Sequence, residues 1–133
     1  MKNLIIASTS TLHGGEYLEY LLPELEKHFQ YCKTILFIPF ARSSGISHEE
    51  YAFKVASAFA KIGKEIKGIH EVDDYSDAIQ KAEGIFTGGG NTFLLVSQLY
   101  KCNCMGVLAD VVKRGTPYLG TSAGSNICGL TMQ

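Results

Sequence analysis

A serine flanked by glycines near residue 120 has the residue type and spacing of an activated nucleophile. Residues 120–124 read Gly-Thr-Ser-Ala-Gly and match the Gly-x-Ser-x-Gly pattern of a nucleophile elbow. In such an elbow the serine occupies a tight turn between a strand and a helix, and backbone N–H groups of the helix N-terminus face a developing oxyanion. Ser122 is therefore a candidate for attack on a carbonyl carbon. The short pattern also fits a plain glycine-rich turn, which remains the alternative at this point.

A second glycine-rich turn has the composition needed for the other half of that chemistry. Residues 87–92 read Thr-Gly-Gly-Gly-Asn-Thr, and consecutive glycines let a backbone approach a ligand closely and expose its N–H groups. The turn lacks both the Gly-x-Gly-x-x-Gly and the Gly-Lys-Ser/Thr signatures of nucleotide-binding loops. A phosphate cradle remains the weaker alternative, and we favour an oxyanion donor that faces Ser122.

Short apolar runs alternate with amphipathic stretches, and this alternation predicts where the two turns lie. The spacing predicts strands at residues 4–7, 34–38, 65–69, 84–87 and 117–120, and helices at 16–29, 47–62, 74–81, 92–100 and 105–114. The fold class is therefore α/β, with a mostly parallel sheet and helices on both faces. Ligands of such sheets bind beyond the carboxyl ends of the strands, where both glycine turns are expected.

The composition favours one soluble domain and disfavours several classes of partner. The chain has 133 residues, 46% hydrophobic and 19% charged, which suits a single α/β domain with a real core. The net charge is −1 and no basic cluster is present, so we expect no nucleic-acid partner. The apolar run at residues 4–7 is too short for a signal peptide or a membrane span, which predicts a cytoplasmic protein without a membrane partner.

The cysteines predict neither a disulfide framework nor a metal site. Their spacing is irregular, so we expect reduced thiols. Cys102 and Cys104 resemble half of a zinc site, but no second Cys/His pair stands at ligand spacing elsewhere. We therefore expect no zinc site at these cysteines. The four cysteines are Cys32, Cys102, Cys104 and Cys128.

Two charged features at predicted loop positions have structural alternatives. Asp73 and Asp74 are adjacent carboxylates, but they precede a predicted helix, where N-capping is the favoured interpretation. Arg42 follows the second predicted strand, at the edge where ligands bind. Its guanidinium is suited to a substrate carboxylate, and a solvated loop charge is the alternative.

The two glycine turns together resemble the aspartyl dipeptidase (peptidase E) family of serine peptidases, and the likeness covers the whole chain. The pairing of Gly-Gly-Gly-Asn-Thr-Phe with Ser-Ala-Gly is the fairly specific part. Segments that look like landmarks of that family, in the same order, are residues 8–12, 37–41, 68–70, 88–93, 112–115 and 122–126. The resemblance implies a cytosolic enzyme that hydrolyses dipeptides with an N-terminal aspartate, on a fold similar to class I glutamine amidotransferases and without a metal or cofactor.

The resemblance also implies roles for individual residues. Ser122 would be the acylated nucleophile, and the backbone N–H groups of Gly90 and Ala123 would hold the oxyanion. Asn91 and Arg42 are candidates for substrate binding. A related hydrolase of isoaspartyl or cyanophycin-type linkages, such as β-aspartyl-arginine, would use the same serine with a different pocket. A non-catalytic fragment that binds small ligands is a third hypothesis.

The chain departs from that family in length. Members continue past the position of Gln133 with the acidic residue and the histidine of the triad, so we expect residues 1–133 to form the N-terminal portion of a longer catalytic domain. A serine without a base keeps its proton, so these residues alone are expected to be nearly inactive. A sheet that lacks later strands leaves an open edge, which favours self-association or pairing with the C-terminal portion.

The histidines upstream of Ser122 do not offer a clear substitute for the missing base. Each lies near a strand end, in a loop, near a helix end or in a helix cap, where structural or solvated histidines are the ordinary case. They are His13, His28, His48 and His70.

Overall fold

The structure, a computed structural model, describes residues 4–7, 22–40, 48–88 and 92–121, and in these ranges strands alternate with helices. The elements are β1 (Leu4–Ala7), α1 (Leu22–His28), β2 (Thr34–Ile38), α2 (His48–Ala60), β3 (Glu65–Gly68), a 3-10 helix (Ile69–Glu71), α3 (Tyr75–Lys81), β4 (Gly84–Thr87), α4 (Thr92–Lys101), α5 (Met105–Arg114) and β5 (Tyr118–Thr121). The predicted alternation is confirmed. No helix within the described ranges is long and apolar enough to cross a membrane.

The five described strands form one parallel sheet in the order β1-β5-β4-β2-β3. Parallel neighbours require crossover connections, and the intervening helices supply them. In the register, Thr87 of β4 lies between Ile38 of β2 and Gly120 of β5. The carboxyl ends of these three strands therefore reach the same edge of the sheet, which we call the carboxyl edge.

Two hydrophobic clusters cover the two faces of the sheet. Because successive side chains of a strand point to opposite faces, Leu36 and Ile38 belong to one cluster, whereas Ile35 and Phe37 belong to the other. The first cluster includes buried residues of α3, α4 and α5, and the second includes those of α1 and α2. Burial on both faces explains the nearly continuous apolar runs, and the predicted fold class with helices on both faces is confirmed.

The N-cap interpretation of the acidic pair is also confirmed. The side chain of Asp74 accepts a hydrogen bond from the backbone N–H of Asp77 at 3.1 Å, at the start of α3. This bond satisfies one of the backbone donors that a helix N-terminus leaves free. The Asp74 carboxylate therefore has a structural role.

The expectation of reduced thiols is wrong for two of the cysteines. Cys102 and Cys104 form a disulfide, with their Cα atoms 5.3 Å apart. Asn103 between them has a φ of 58°, in the left-handed region that asparagine tolerates better than most residues. This turn between α4 and α5 brings the two side chains together, and cysteine spacing alone does not predict it. Cys32 is a free and buried thiol.

Glu83 joins the loop before β4 to the start of β2. Its Oε1 accepts hydrogen bonds from the backbone N–H groups of Thr34 at 2.9 Å and Lys33 at 3.0 Å. Cys32 Sγ donates to the Glu83 carbonyl oxygen at 3.1 Å. The hydrogen bonds from Thr34 and Lys33 lower the pKa of the Glu83 carboxyl, because they favour its ionised form. The side chain thus holds the amino ends of β2 and β4 beside each other.

The lowered pKa of Glu83 predicts a pH-dependent contribution to stability. The carboxylate stabilises the fold above its ordinary pKa of 4.5 and loses that contribution as the pH falls through the lower folded-state value. We expect Glu83→Gln to lower the free energy of unfolding at pH 7, and the difference from wild type to shrink at pH 3. Urea denaturation at both pH values measures this, with Glu26→Gln on the exposed side of α1 as the control. A difference that is the same at both pH values would contradict the assignment.

Gly84, the first residue of β4, lies too close to its neighbours to accept a side chain. A Cβ atom at this position would meet Phe29 Cδ1 at 2.8 Å and Cys32 Sγ at 3.1 Å, and all three residues are buried. We expect Gly84→Ala to lower the free energy of unfolding by about 1–3 kcal/mol, because overpacking displaces buried groups. Gly106→Ala on α5 is the matched control, since a Cβ atom there would meet nothing within 4 Å and alanine favours helix. Urea denaturation should show this variant equal to or more stable than wild type.

Candidate functional site

The glycine turns start from neighbouring positions at the carboxyl edge. Thr87 is the last residue of β4, and its register partner is Gly120, one residue before the end of β5. The chain continues from β4 into Gly88, whose backbone N–H donates to the carbonyl oxygen of Ile38 at 3.2 Å. Both turns therefore begin at the carboxyl edge, as the sequence predicted, and the hydrogen-bonded ladder places their beginnings side by side.

The sheet order makes the boundary between β2 and β4, at the same edge, the place where a ligand crevice is expected. From β2 the chain proceeds to α2, whose buried residues pack on one face, and from β4 it proceeds to α4, which packs on the other face. Ligands of open α/β sheets bind where adjacent strands send their connections in opposite directions. The buried residues Pro39 and Phe40 follow β2 into this region. The crevice is the candidate binding site.

The residues named from the sequence as site residues lie outside the described ranges. Ser122 directly follows the last residue of β5, and Ala123 comes next. Gly90 and Asn91 come after Gly88. Arg42 belongs to the segment after Phe40 and likewise lies outside the described residues. The structure thus describes the strands that lead into the candidate site.

Thr87 is a candidate that the sequence patterns did not single out. Its side chain is 0% exposed, and its Oγ1 has no hydrogen-bond partner among the residues that the structure describes. Buried hydroxyl groups are nearly always hydrogen-bonded, so such an atom at the carboxyl edge is unusual. The sequence feature that could have indicated Thr87 is that it is the one polar residue of the run Gly-Ile-Phe-Thr and stands directly before the glycine turn.

His28 does not serve the candidate site. Its Nε2 lies 3.1 Å from the carbonyl oxygen of Tyr118, which begins β5. Thr121 lies three positions further along β5, roughly 10 Å away. Burial lowers the pKa of the His28 ring and outweighs the opposing effect of the hydrogen bond to Tyr118. Its role is therefore structural, as its position in the sequence favoured.

The other histidine side chains belong to the parts of the chain that the structure leaves undescribed. His48 and His70 contribute backbone to α2 and to the 3-10 helix after β3, and His13 falls between β1 and α1. The roles of these three side chains therefore remain predictions from the sequence.

Comparison with known proteins shows similarity over nearly the whole chain. The model of Peptidase family S51 matches residues 4–133. Peptidase E of Shewanella denitrificans is 40% identical over 131 residues, which cover 98% of this chain and 55% of that protein. A probable alpha-aspartyl dipeptidase of Drosophila melanogaster is 39% identical over 129 residues, which cover 95% of this chain and 52% of the relative. The chain thus spans about half the length of these curated relatives.

A solved structure shows the same fold. The crystal structure of a peptidase from an acI-B1 Actinobacterium superposes with a TM-score of 0.75 at 20% sequence identity. The match covers 94% of this chain and 55% of that one. At this identity the likeness concerns the fold alone.

Proposed function

The chain belongs to peptidase family S51, and from this membership we propose that it is part of a serine peptidase that hydrolyses dipeptides with an N-terminal aspartate. The observation that carries the proposal is the parallel pairing of β4 with β5, which starts both glycine turns side by side at the carboxyl edge. The similarity to a relative named as a probable alpha-aspartyl dipeptidase supports the substrate class.

In the proposed mechanism Ser122 is the nucleophile. Its hydroxyl oxygen attacks the peptide carbonyl carbon of the substrate aspartate and gives up its proton to a base. The backbone N–H groups of Gly90 and Ala123 donate hydrogen bonds to the oxyanion that forms. Collapse of this intermediate releases the amine of the second residue, with a proton, and leaves an aspartyl ester on Ser122. Water then hydrolyses the ester and releases aspartate.

The base and its acidic partner belong, in this proposal, to a segment that follows residue 133. Two observations support this: the chain spans about half the length of its curated relatives, and the His28 side chain is held at the amino end of β5. Residues 1–133 are then the N-terminal portion of a longer catalytic domain. By themselves they bind or associate but hydrolyse very slowly, because an unassisted serine is a poor nucleophile.

Substrate recognition is assigned to the crevice between β2 and β4. Arg42 comes two residues after the buried Phe40, which follows β2, and the last residue of β2 lies beside Thr87, from which the chain enters the glycine turn. A guanidinium binds a carboxylate with two parallel hydrogen bonds, which suits the side chain of an N-terminal aspartate. Asn91, in the turn after β4, contributes a polar amide to the same crevice. The substrates are small peptides, the enzyme needs no cofactor, and it acts in the cytoplasm.

Replacement of Ser122 tests the proposal. In the complete protein we expect Ser122→Ala to lower kcat/KM for an aspartyl dipeptide by at least about a thousandfold, because no acyl-enzyme can form. The measurement is release of free aspartate, followed by chromatography. Ser125→Ala, three residues further along, is the matched control and should keep wild-type activity. Undiminished hydrolysis by Ser122→Ala would contradict the assignment.

A panel of substrates separates the related activities. The complete protein is given α-aspartyl and β-aspartyl dipeptides, including β-aspartyl-arginine, and the ratio of kcat/KM values identifies the linkage that its pocket prefers. A preference for the β-linked peptides would change the proposed substrate class to β-aspartyl peptides, and Ser122 would remain the proposed nucleophile. Calorimetric binding of a dipeptide with no product, together with no fluorophosphonate adduct on Ser122, would show a binding protein instead.

A further inference from the structure

The hydroxyl of Thr87 has no role in the packing of the sheet. The side chain is 0% exposed, and within the described ranges Oγ1 has no hydrogen-bond partner. A hydroxyl that leaves water without gaining a hydrogen bond destabilises the folded state. Valine has nearly the same shape and would fill this position without that cost. The presence of threonine here therefore requires an explanation other than packing.

The surroundings of Thr87 define what its hydroxyl can reach. Ile85 belongs to the cluster on the α4 and α5 face, and Thr87, two residues later, points to the same face. Its neighbours in register are Ile38 on β2 and Gly120 on β5. Ile38 offers only hydrocarbon, whereas Gly120 has no side chain. On the β5 side, no side chain at the paired position separates Oγ1 from the main chain.

Burial decides how the hydroxyl can act. A fully buried group does not contact a substrate that arrives from solvent, so any effect on the reaction passes through a protein group. The backbone N–H of Gly88, which directly follows Thr87, already donates a hydrogen bond to the carbonyl oxygen of Ile38. The chain that leaves β5 carries Ser122 two residues after Gly120. Because a threonine hydroxyl both donates and accepts, it can bind either an N–H or a carbonyl of that chain.

We propose that Thr87 is a positioning residue for the nucleophile, and this inference rests on the function proposed for Ser122. Its hydroxyl forms a hydrogen bond to the main chain of Gly120 or Thr121, the residues that lead into Ser122, during attack on the substrate. No such bond is present among the described residues, and we place it in the attack step. An interaction made in the transition state and not in the ground state raises kcat and leaves substrate binding almost unchanged.

Two substitutions separate positioning from packing. In the complete protein we expect Thr87→Val to lower kcat about tenfold with KM within about twofold of wild type, and with a Tm equal to or above that of wild type. Thr87→Ser keeps the hydroxyl and loses a buried methyl group, so it should retain kcat within about twofold and have a lower Tm. Ile85→Val, on the same strand and face, is the matched control, with a lower Tm and unchanged kcat. A purely structural role cannot make the more stable variant the slower one.

The rate at which a fluorophosphonate labels Ser122 gives a second readout that needs no substrate. We expect Thr87→Val to be labelled about tenfold more slowly than wild type and Thr87→Ser to be labelled at nearly the wild-type rate. Equal kcat values and equal labelling rates for wild type and Thr87→Val would overturn the role of Thr87 and leave the proposed function intact. Slow labelling of Thr87→Val in a protein that hydrolyses no aspartyl peptide would support the role of Thr87 and overturn the substrate class. A wild-type protein that is neither labelled nor active would overturn both.

Discussion

The hydrogen-bonded ladder that places β4 between β2 and β5 is the constraint on which the rest of the structure depends. Its register sets Ile38, Thr87 and Gly120 side by side, so three loops leave the sheet at one edge. The ladder also divides the core in two, because alternate residues of β2 and β4 enter clusters on opposite faces. A shift of one residue in β4 would exchange those faces and break the register of Thr87 with Gly120. The same strand register therefore determines both the packing of the core and the strand ends at which the candidate site begins.

Much of the fold could be predicted from the sequence because its signals are local. The run Gly-Ile-Phe-Thr indicates a strand buried on both faces, and Asp74 before a helical stretch indicates an N-cap; the structure confirms both. The order of the strands could not be predicted in this way, since no residue of β5 specifies that its neighbours are β1 and β4. The Cys102–Cys104 disulfide was missed for a related reason. It depends on the left-handed conformation of Asn103, which a count of cysteine spacings ignores.

The candidate site shows the same division between local and long-range information. The elbow around Ser122 and the turn after Thr87 are recognisable as short patterns, and the sheet explains why two patterns some thirty residues apart belong together. The unpartnered hydroxyl of Thr87 is different. The sequence shows a polar residue at the end of a strand, but it does not show that the side chain is buried. Burial results from neighbours on other strands and on the helices above them. Such a residue becomes a candidate only when the tertiary structure is known.

The position of β5 also has a consequence for how the protein is made. β1, which precedes the other described strands in the chain, pairs in this sheet with β5, so that residue 4 lies beside residue 118. Contacts so distant in sequence form late, because a long loop must close before they contribute. β1 therefore has no neighbour in this sheet until β5 has been synthesised, while β2, β3 and β4 can already assemble. β5 joins β1 to the other three strands, so the strand that directly precedes the candidate nucleophile is also the one that completes the described sheet.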